Sequence, residues 1–184
     1  MSYSLDEKGQ WLVEARQVLS PNSDERPTGC DIDAIIMHGI SLPPNKYGGP
    51  YIDQLFTNAL DPDEHPYFAE INHLRVSSHL MIDRHGEVSQ YVPFDRRAWH
   101  AGESCLAGRH ACNDFSIGIE LEGRDDEAYE DVQYKVAAEV VVLLMGYYSA
   151  ISKDRIAGHA DVAPGRKTDP GEAFKWDYFY SLLD

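Results

Sequence analysis

The amino-acid sequence predicts an α/β fold in which helices cover a mixed β-sheet. Residues 115–121 alternate between apolar and small or acidic side chains, which is the two-residue period of a β-strand. Residues 130–148 place apolar side chains at helical spacing, which predicts a long packed helix. Because predicted strands and helices alternate irregularly along the chain, a mixed sheet is favoured over a strict βαβ repeat.

The other elements follow in chain order from their apolar patterns. Residues 33–37 form a short apolar run that ends at His38, which predicts a buried strand with an imidazole at its rigid end. Residues 78–82 and 87–92 flank a glycine-containing turn and predict a hairpin. A short helix over residues 176–183 closes the predicted fold. The predicted buried face of the long helix comprises Val132, Val136, Val140, Leu143, Leu144 and Tyr147.

The length of 184 residues indicates one domain, since domains commonly have roughly 100–200 residues. We therefore expect residues 1–184 to form a single domain, with residues 1–30 as a lead-in segment over its body. A hydrophobic content of 43% and an aromatic content of 11% suffice for a core and exclude wholesale disorder. Three cysteines are too few and wrongly spaced for a disulfide framework or a cysteine-built zinc site.

The charge balance excludes several classes of partner. Acidic residues outnumber basic ones by 31 to 16, for a formal net charge of −15. Without a basic face, we expect no binding to nucleic acid or to anionic membranes. The longest apolar run, residues 140–145, is too short to cross a bilayer, and residues 1–10 lack the pattern of a secretion signal. These features predict a soluble cytoplasmic protein, and nothing in them implies an obligate protein partner.

Two segments rich in proline and glycine do not fit the predicted scaffold. Residues 41–68 form a long connection with room only for a short helix near residues 51–56. Connections of this length in a compact domain are usually functional or disordered, and the aromatic side chains here favour a docked loop. Residues 158–171 form the second such loop, which also carries several ionisable groups.

Three side chains in these regions could hold a metal ion. His38, His159 and Asp169 together offer two imidazoles and one carboxylate, a set that suits zinc with a fourth position left to water. Taken singly, each has an ordinary interpretation: His38 as a core histidine, the other two as the polar rim of a surface loop. Spacing alone does not decide between these interpretations.

The strand predicted over residues 115–121 carries a candidate catalytic carboxylate. One of its faces presents Ser116, Gly118 and Glu120, two very small residues followed by a carboxylate. That face is either exposed to solvent or the floor of a cleft where a ligand approaches the backbone closely. We favour the cleft, because exposed strand faces normally carry larger side chains. A carboxylate buried there could act as a general base.

Lys167 is a candidate for stabilising negative charge. It lies two residues before Asp169, so in an extended stretch both side chains point the same way. Beside a metal site, its ammonium group could stabilise a developing oxyanion. The alternative is a surface ion pair with Asp169 or Asp161.

Blocks of residues along nearly the whole chain form an ordered pattern. They are His38 after its strand, Ser41-Leu42-Pro43-Pro44, Tyr47-Gly48-Gly49-Pro50, Arg75-Val76-Ser77, Arg97-Ala98-Trp99-His100-Ala101-Gly102, Asn113-Asp114-Phe115-Ser116-Ile117-Gly118-Ile119-Glu120, Gly158-His159-Ala160-Asp161 and Lys167-Thr168-Asp169-Pro170-Gly171. This pattern closely resembles the zinc N-acetylmuramoyl-L-alanine amidases, in particular the cytoplasmic ones that act on 1,6-anhydro-N-acetylmuramyl peptides. That family is related to phage lysozyme-like amidases and peptidoglycan recognition proteins.

The resemblance implies a mixed sheet with helices on both sides and one Zn²⁺ in a surface cleft. It implies that His38, His159 and Asp169 are the zinc ligands, that Glu120 is the general base and that Lys167 assists at the carbonyl oxygen. The implied reaction is hydrolysis of the amide between 1,6-anhydro-N-acetylmuramic acid and the L-alanine of its stem peptide, a step of peptidoglycan recycling.

The implied muropeptide substrate is anionic, so long-range attraction to this acidic protein works against its capture. Local groups must therefore hold it. Arg75 is the candidate for binding a carboxylate, and Trp99 is the candidate for a cleft wall or a sugar-stacking surface. Their alternatives are an ordinary surface arginine and a core tryptophan. His79 and His100 are either competing metal ligands or supporting groups, with a core or supporting role favoured for His79.

The chain departs from the family pattern at two positions. Gly39 stands where relatives have asparagine after the first zinc histidine, and Ala111 stands where some have arginine. Both departures leave the zinc chemistry intact and affect only the expected contacts with sugar and peptide. If Gly39 lacks one hydrogen bond to the substrate, Gly39→Asn should lower KM. The loop over residues 41–68 is a candidate gate over the cleft.

Three other functions remain open at this point. The same chemistry could act on intact peptidoglycan, as in phage endolysins. A non-catalytic module that binds muropeptides is disfavoured, because such relatives typically lose a metal ligand and this chain keeps all three. An acidic α/β domain without metal would require the ordered blocks to be coincidental.

Overall fold

A six-stranded mixed β-sheet lies at the centre of the structure, a computed structural model that describes residues 2–184. The strands within these residues are β1 (Arg16–Gln17), β2 (Ser23–Glu25), β3 (Ala34–Ile40), β4 (Leu80–Ile82), β5 (Val88–Gln90), β6 (Arg96–Ala98), β7 (Cys105–Leu106), β8 (Arg109–His110), β9 (Ser116–Glu122) and β10 (Ile156–Gly158). The α-helices are α1 (Tyr51–Phe56), α2 (Pro66–Ile71), α3 (Asp131–Tyr147), α4 (His159–Val162) and α5 (Trp176–Ser181).

The central sheet has the strand order β1-β5-β4-β9-β3-β10. β4 and β5 pair antiparallel, which confirms the predicted hairpin, and the other neighbours pair parallel. Parallel strands covered on both faces are rich in apolar residues, as the Ala-Ile-Ile-Met run of β3 shows. The predicted mixed α/β fold is therefore confirmed. β1, in the segment of residues 1–30, supplies one edge of the sheet.

Helices cover both faces of this sheet. α3 and α5 pack on one face, against a core that includes Ile35 and Ile119. On the other face, α1 and α2 pack near Met81, and α4 packs near Ile36. Because successive strand residues point to opposite faces, the side chain of Glu120 lies on this second face. Among residues 2–184, no helix combines the length and apolar character needed to span a bilayer.

The predicted position of His38 at the end of its strand is wrong. β3 continues to Ile40, because its parallel ladder with β9 extends as far as Glu122. His38 is therefore an interior strand residue, and its register partner on β9 is Glu120. The backbone at His38 is therefore held by the hydrogen-bonded ladder between β3 and β9, which fixes the position of its imidazole.

The long helix α3 is confirmed, but its predicted buried face is only partly correct. Val132 is 39% exposed and Tyr147 is 51% exposed, whereas Gln133 is fully buried. The Gln133 side-chain amide donates to the carbonyl oxygens of Ile82 and Glu122, at 3.2 and 3.0 Å. Apolar periodicity cannot reveal this polar anchor, and the anchor turns the helix so that its first valine faces solvent.

The loop over residues 41–68 is docked, as predicted, and holds two helices. α1 lies where the sequence predicts a short helix, and α2 is an addition. α2 begins at Pro66 behind His65, whose ring accepts the N–H of Tyr67 at 3.1 Å. Proline is favoured at the first helical position, where its missing N–H has no intrahelical partner to lose. Phe68 is fully buried and ties the helix to the sheet.

The second irregular segment, residues 158–171, starts with regular structure. β10 leads directly into α4, so His159 is the first residue of a short helix and not part of an irregular loop. The Asp161 carboxylate accepts the N–H of Gly158 at 2.8 Å, which caps this helix. Parallel pairing of β10 with β3 brings the start of α4 beside His38.

Arg26 joins the lead-in segment to the chain just before β9. Its guanidinium donates to the carbonyl oxygens of Asn113, Asp114 and Ser116 at 2.9–3.1 Å, and to that of Phe94 at 3.0 Å. Burial lowers the pKa of Arg26 to about 10. The side chain is thus held by main-chain dipoles, and it ties down the segment that begins the central strand.

Arg26→Met is expected to destabilise the fold by about 3 kcal/mol, because several partly buried carbonyl groups lose their donor. The free energy of unfolding in urea measures the effect. Arg124→Met is the matched control, since this arginine is half-exposed and forms its ion pair with Asp126, an exposed neighbour. The control should stay within about 0.5 kcal/mol of the wild type. Equal losses in the two variants would contradict the role assigned to Arg26.

Candidate active site

Three side chains from separate elements meet in one cleft on the second face of the sheet. His38 comes from the middle of β3, His159 from the first turn of α4 and Asp169 from the loop that follows α4. His38 and His159 are almost fully buried, and Asp169 is partly buried. The structure brings these three residues, the ligand triad, within reach of one ion.

The donor atoms of the ligand triad form a small triangle. His38 Nδ1 lies 3.0 Å from His159 Nδ1 and 3.3 Å from Asp169 Oδ2, and the third side measures 3.1 Å. Ligand atoms around a tetrahedral zinc ion, with bonds of about 2.0–2.1 Å, lie about 3.3 Å apart. Two neutral imidazoles and a carboxylate are also the donor types that zinc takes in catalytic sites. The residues therefore fit Zn²⁺.

The electrostatics of the ligand triad favour its metal-binding protonation states. Burial lowers the pKa of His38 to about 4, so its imidazole is neutral at physiological pH. Burial alone would raise the pKa of Asp169, but the adjacent imidazoles of His159 and His38 outweigh this effect and hold that pKa below its usual value. A neutral imidazole and an ionised carboxylate are the forms that bind a metal.

Glu120 lies next to the ligand triad on the neighbouring strand. Glu120 is 8% exposed, and burial, reinforced by the nearby charge of Asp169, raises the pKa of its carboxyl well above the usual value. Lys167 lines the same cleft and acts in the opposite direction on the pKa of Glu120. A carboxylate with a raised pKa is a better proton acceptor near neutral pH than an ordinary one.

The cleft has a polar floor and an apolar wall. The ligand triad and Glu120 form the floor, and Lys167 also lines the cleft as an exposed residue. The wall comes mainly from the loop over residues 41–68 and the segment that follows it, through Leu55, Phe56, Tyr67, Ile71, Leu74 and Val76. Most of these wall residues are not predicted from the sequence. The aromatic side chains of the long loop are the one sequence feature that indicates an apolar wall.

The expected substrate-binding residues take different positions. Trp99 lines the cleft, and its indole N–H donates to Asp24 at 3.1 Å. Arg75 is exposed and lies outside the cleft lining. Its guanidinium donates hydrogen bonds to the carbonyl oxygens of Asn72 and Leu74, both at 3.2 Å. Substrate contact by Arg75 and Trp99 stays a prediction.

Gly39 lines the cleft, and its lack of a side chain has a structural consequence. A Cβ atom at this position would lie 2.2 Å from the hydroxyl oxygen of Tyr129. That hydroxyl is buried and donates to the carbonyl of Pro170, next to Asp169, at 2.9 Å. Gly39→Asn must therefore displace Tyr129 before it can add a contact to the substrate. The simple expectation of a lower KM does not account for this clash.

Ala111 and the two remaining histidines also have defined surroundings. Ala111 is exposed and has φ of 61° before a short 3-10 helix. His79 is fully buried, where it accepts the N–H of Gly118 at 3.0 Å. His100 is buried behind the ligand triad, 2.9 Å from the far ring nitrogen of His38. Among residues 2–184, neither histidine belongs to the group that could hold a metal.

The long loop has a firm anchor on the sheet. The N–H of Gly48 donates to the carboxylate of Glu122 at the end of β9, and the Tyr47 hydroxyl donates to Glu127 at 2.9 Å. The guanidinium of Arg84 lies 4.7 Å from the centre of the Tyr47 ring, a cation–π distance. The loop is thus closed onto the body here, and a gating role for it stays a prediction.

Comparisons with known proteins identify close relatives. The family profile described as N-acetylmuramoyl-L-alanine amidase matches residues 28–172. The 1,6-anhydro-N-acetylmuramyl-L-alanine amidase AmpD of Salmonella typhimurium strain SL1344 is 58% identical over 179 residues, which cover 97% of this chain and 95% of the relative. A crystal structure of a selenomethionine AmpD derivative is 55% identical with a TM-score of 0.94, covering 98% of this chain and 99% of that one.

A more distant solved structure contains a bound ligand. It is the N-acetylmuramyl-L-alanine amidase AmiD from E. coli, in complex with its substrate anhydro-N-acetylmuramic acid-L-Ala-D-γ-Glu-L-Lys. It is 25% identical with a TM-score of 0.61, and the match covers 97% of this chain and 65% of that one.

Proposed function

Because this chain belongs to the N-acetylmuramoyl-L-alanine amidase family and is a hydrolase of that class, we propose that it cleaves 1,6-anhydro-N-acetylmuramyl peptides. The bond cut is the amide between the lactyl group of the anhydro sugar and the L-alanine of the stem peptide. The observation that carries this proposal is the 58% identity, over 97% of the chain, to an amidase named for that substrate. The reaction belongs to peptidoglycan recycling, and the acidic composition is compatible with a cytoplasmic location.

One zinc ion is the proposed cofactor, held by the ligand triad. The triangle of donor atoms, with sides of 3.0–3.3 Å, supports zinc over a larger ion with more ligands. Zinc, when bound, is a Lewis acid that lowers the pKa of water to about 7 and polarises a carbonyl group.

Glu120 is the proposed general base. Water adds to the amide carbonyl carbon while the carboxylate takes one of its protons. The carbon–nitrogen bond then breaks as Glu120 passes that proton to the alanine nitrogen, leaving a lactyl carboxylate and a free peptide amine. The raised pKa and the buried position of Glu120 beside the ligand triad support this transfer in both directions.

Lys167 and the cleft wall have supporting roles in the proposal. The Lys167 ammonium group would donate to the carbonyl oxygen as negative charge develops on it. Trp99 would contact the sugar, since aromatic faces suit the apolar faces of sugar rings. Arg75 would reach a peptide carboxylate from outside the cleft, which requires it to leave the carbonyls of Asn72 and Leu74.

Incubation of the protein with 1,6-anhydro-N-acetylmuramyl tripeptide should release free tripeptide, detected by mass spectrometry. Release should stop with a chelator and return when zinc is added back. This outcome reports the bond cut and the metal together. Intact substrate after incubation with protein shown to hold zinc would contradict the proposed reaction and favour a binding module.

A parallel incubation with whole sacculi separates the proposed substrate from intact peptidoglycan. We expect far faster cleavage of the anhydromuropeptide. Equal or faster cleavage of sacculi would instead favour an endolysin-like activity of the same chemistry.

A further inference from the structure

The small residues on the cleft face of β9 make room for a histidine ring. A Cβ atom on Gly118 would lie only 2.5–2.8 Å from ring atoms of His100. Ser116, the next residue on that face, is fully buried, and its hydroxyl lies 3.3 Å from His100 Nε2. The small residues Ser116 and Gly118, which in the sequence suggest close approach of a ligand, therefore allow the imidazole of His100 to pack against the strand backbone.

The hydrogen bonds around the His100 ring are satisfied by one assignment of donors and acceptors. The Ser116 hydroxyl donates to the carbonyl of Cys112 at 2.6 Å, so its oxygen is left to accept from His100 Nε2–H. A neutral imidazole carries one N–H, which leaves His100 Nδ1 as an acceptor. This acceptor faces His38 Nε2 at 2.9 Å. His38 therefore carries its proton on Nε2, and the lone pair of Nδ1 points at the ligand triad.

Ala101, the residue after His100, sets the tautomer of His159 in the same way. His159 Nε2 lies 3.2 Å from the carbonyl oxygen of Ala101, which can only accept, so His159 Nδ1 is also free to bind a metal. The side-chain oxygen of Asn113 accepts the N–H groups of His100 and Ala101, at 3.2 and 2.7 Å. One short segment, held by one amide, thus faces both metal-binding histidines.

We propose that His100 is a positioning residue for the metal centre. It acts through His38, by accepting the Nε2–H and thereby selecting the tautomer whose Nδ1 binds zinc, and Ser116 selects the matching tautomer of His100. Hydrogen-bond partners of metal-binding histidines set their orientation and basicity in this way. The inference depends on the zinc centre of the proposed function, not on the identity of the amide that is cleaved.

Variants of His100 separate positioning from simple packing. His100→Phe keeps a ring in the Gly118 recess but removes the acceptor, and zinc affinity should fall about 10–100-fold. His100→Asn restores an acceptor near the place of Nδ1, so it should recover most of that affinity despite a poorer fill of the recess. Competition with a chromophoric chelator, started from zinc-loaded protein, measures both.

His79→Phe is the matched control. His79 is fully buried and lies 5.7 Å from His100 between ring centres, but its ring nitrogens bond Gly118, Arg96 and Arg26 and not the ligand triad. This variant should lose thermal stability while its zinc affinity stays within about threefold of the wild type, well below the loss expected at His100. Equal zinc affinity of His100→Phe and the wild type, or an equal loss in His79→Phe, would overturn the proposal.

Imidazole ¹⁵N spectra of the zinc-loaded wild-type protein test the tautomers without any substitution. We expect a proton on Nε2 of both His38 and His100. A proton on Nδ1 of His100 would overturn the proposal even if the protein binds zinc and hydrolyses its substrate. Absence of zinc binding in the wild type would instead remove the metal centre itself, and with it the proposed function.

Discussion

Asp169→Ala should lose zinc and, with it, hydrolysis of the anhydromuropeptide. Asp169 is the only anionic member of the ligand triad, and its Oδ2 lies 3.1–3.3 Å from both imidazole donors. Its removal leaves two neutral ligands, so zinc affinity should fall by more than about 100-fold, beyond the usual effect of changing a residue that only contacts a ligand. Metal analysis after dialysis, together with chelator competition, measures the loss.

Glu172→Ala is the control for this substitution. Glu172 is an exposed acid three residues further along the same loop, outside the cleft lining. It should keep zinc and turnover. Asp169→Ala protein that retains zinc with wild-type affinity would show that Asp169 is not a ligand, and the zinc site would then need another third donor.

Glu120→Gln is expected to keep zinc and to lower kcat by about 10²–10⁴, the usual contribution of a positioned proton-transfer group. The glutamine has nearly the same shape but cannot accept the proton of the attacking water. The folded state should tolerate it, because burial already disfavours the charged form of Glu120. Steady-state kinetics on zinc-loaded protein give kcat, and metal analysis confirms the loading.

Glu122→Gln is the matched control for the base. Glu122 is the next acid on the same face of β9. It is also buried, and it accepts the N–H of Gly48. Glutamine can still accept that hydrogen bond, so kcat should stay close to the wild-type value. Near-normal kcat in Glu120→Gln would exclude Glu120 as the base, while a loss confined to Glu122→Gln would point to the anchored loop as the sensitive element.

Much of the architecture was predictable because its signals are local. Apolar alternation predicts β9, helical spacing predicts the bounds of α3 to within one residue, and a glycine-containing turn predicts the hairpin of β4 and β5. The incorrect predictions concern features that local sequence patterns do not encode. The buried Gln133 orients α3 through hydrogen bonds to the ends of β4 and β9, which apolar spacing within the helix cannot reveal. The helix α2 forms inside a segment dominated by turn residues.

The sequence by itself determined which residue types are available for chemistry and, through ordered motifs, the family to which the chain belongs. Motifs and periodicity are properties of the linear chain, so they can be read without knowing any contact. Only the tertiary structure decided that Nδ1 atoms of His38 and His159, 121 residues apart, lie 3.0 Å from each other. It also decided that His100, and not a ligand, occupies the recess over Gly118. Both depend on the parallel pairing of β3 with β9 and β10, which long-range packing alone establishes.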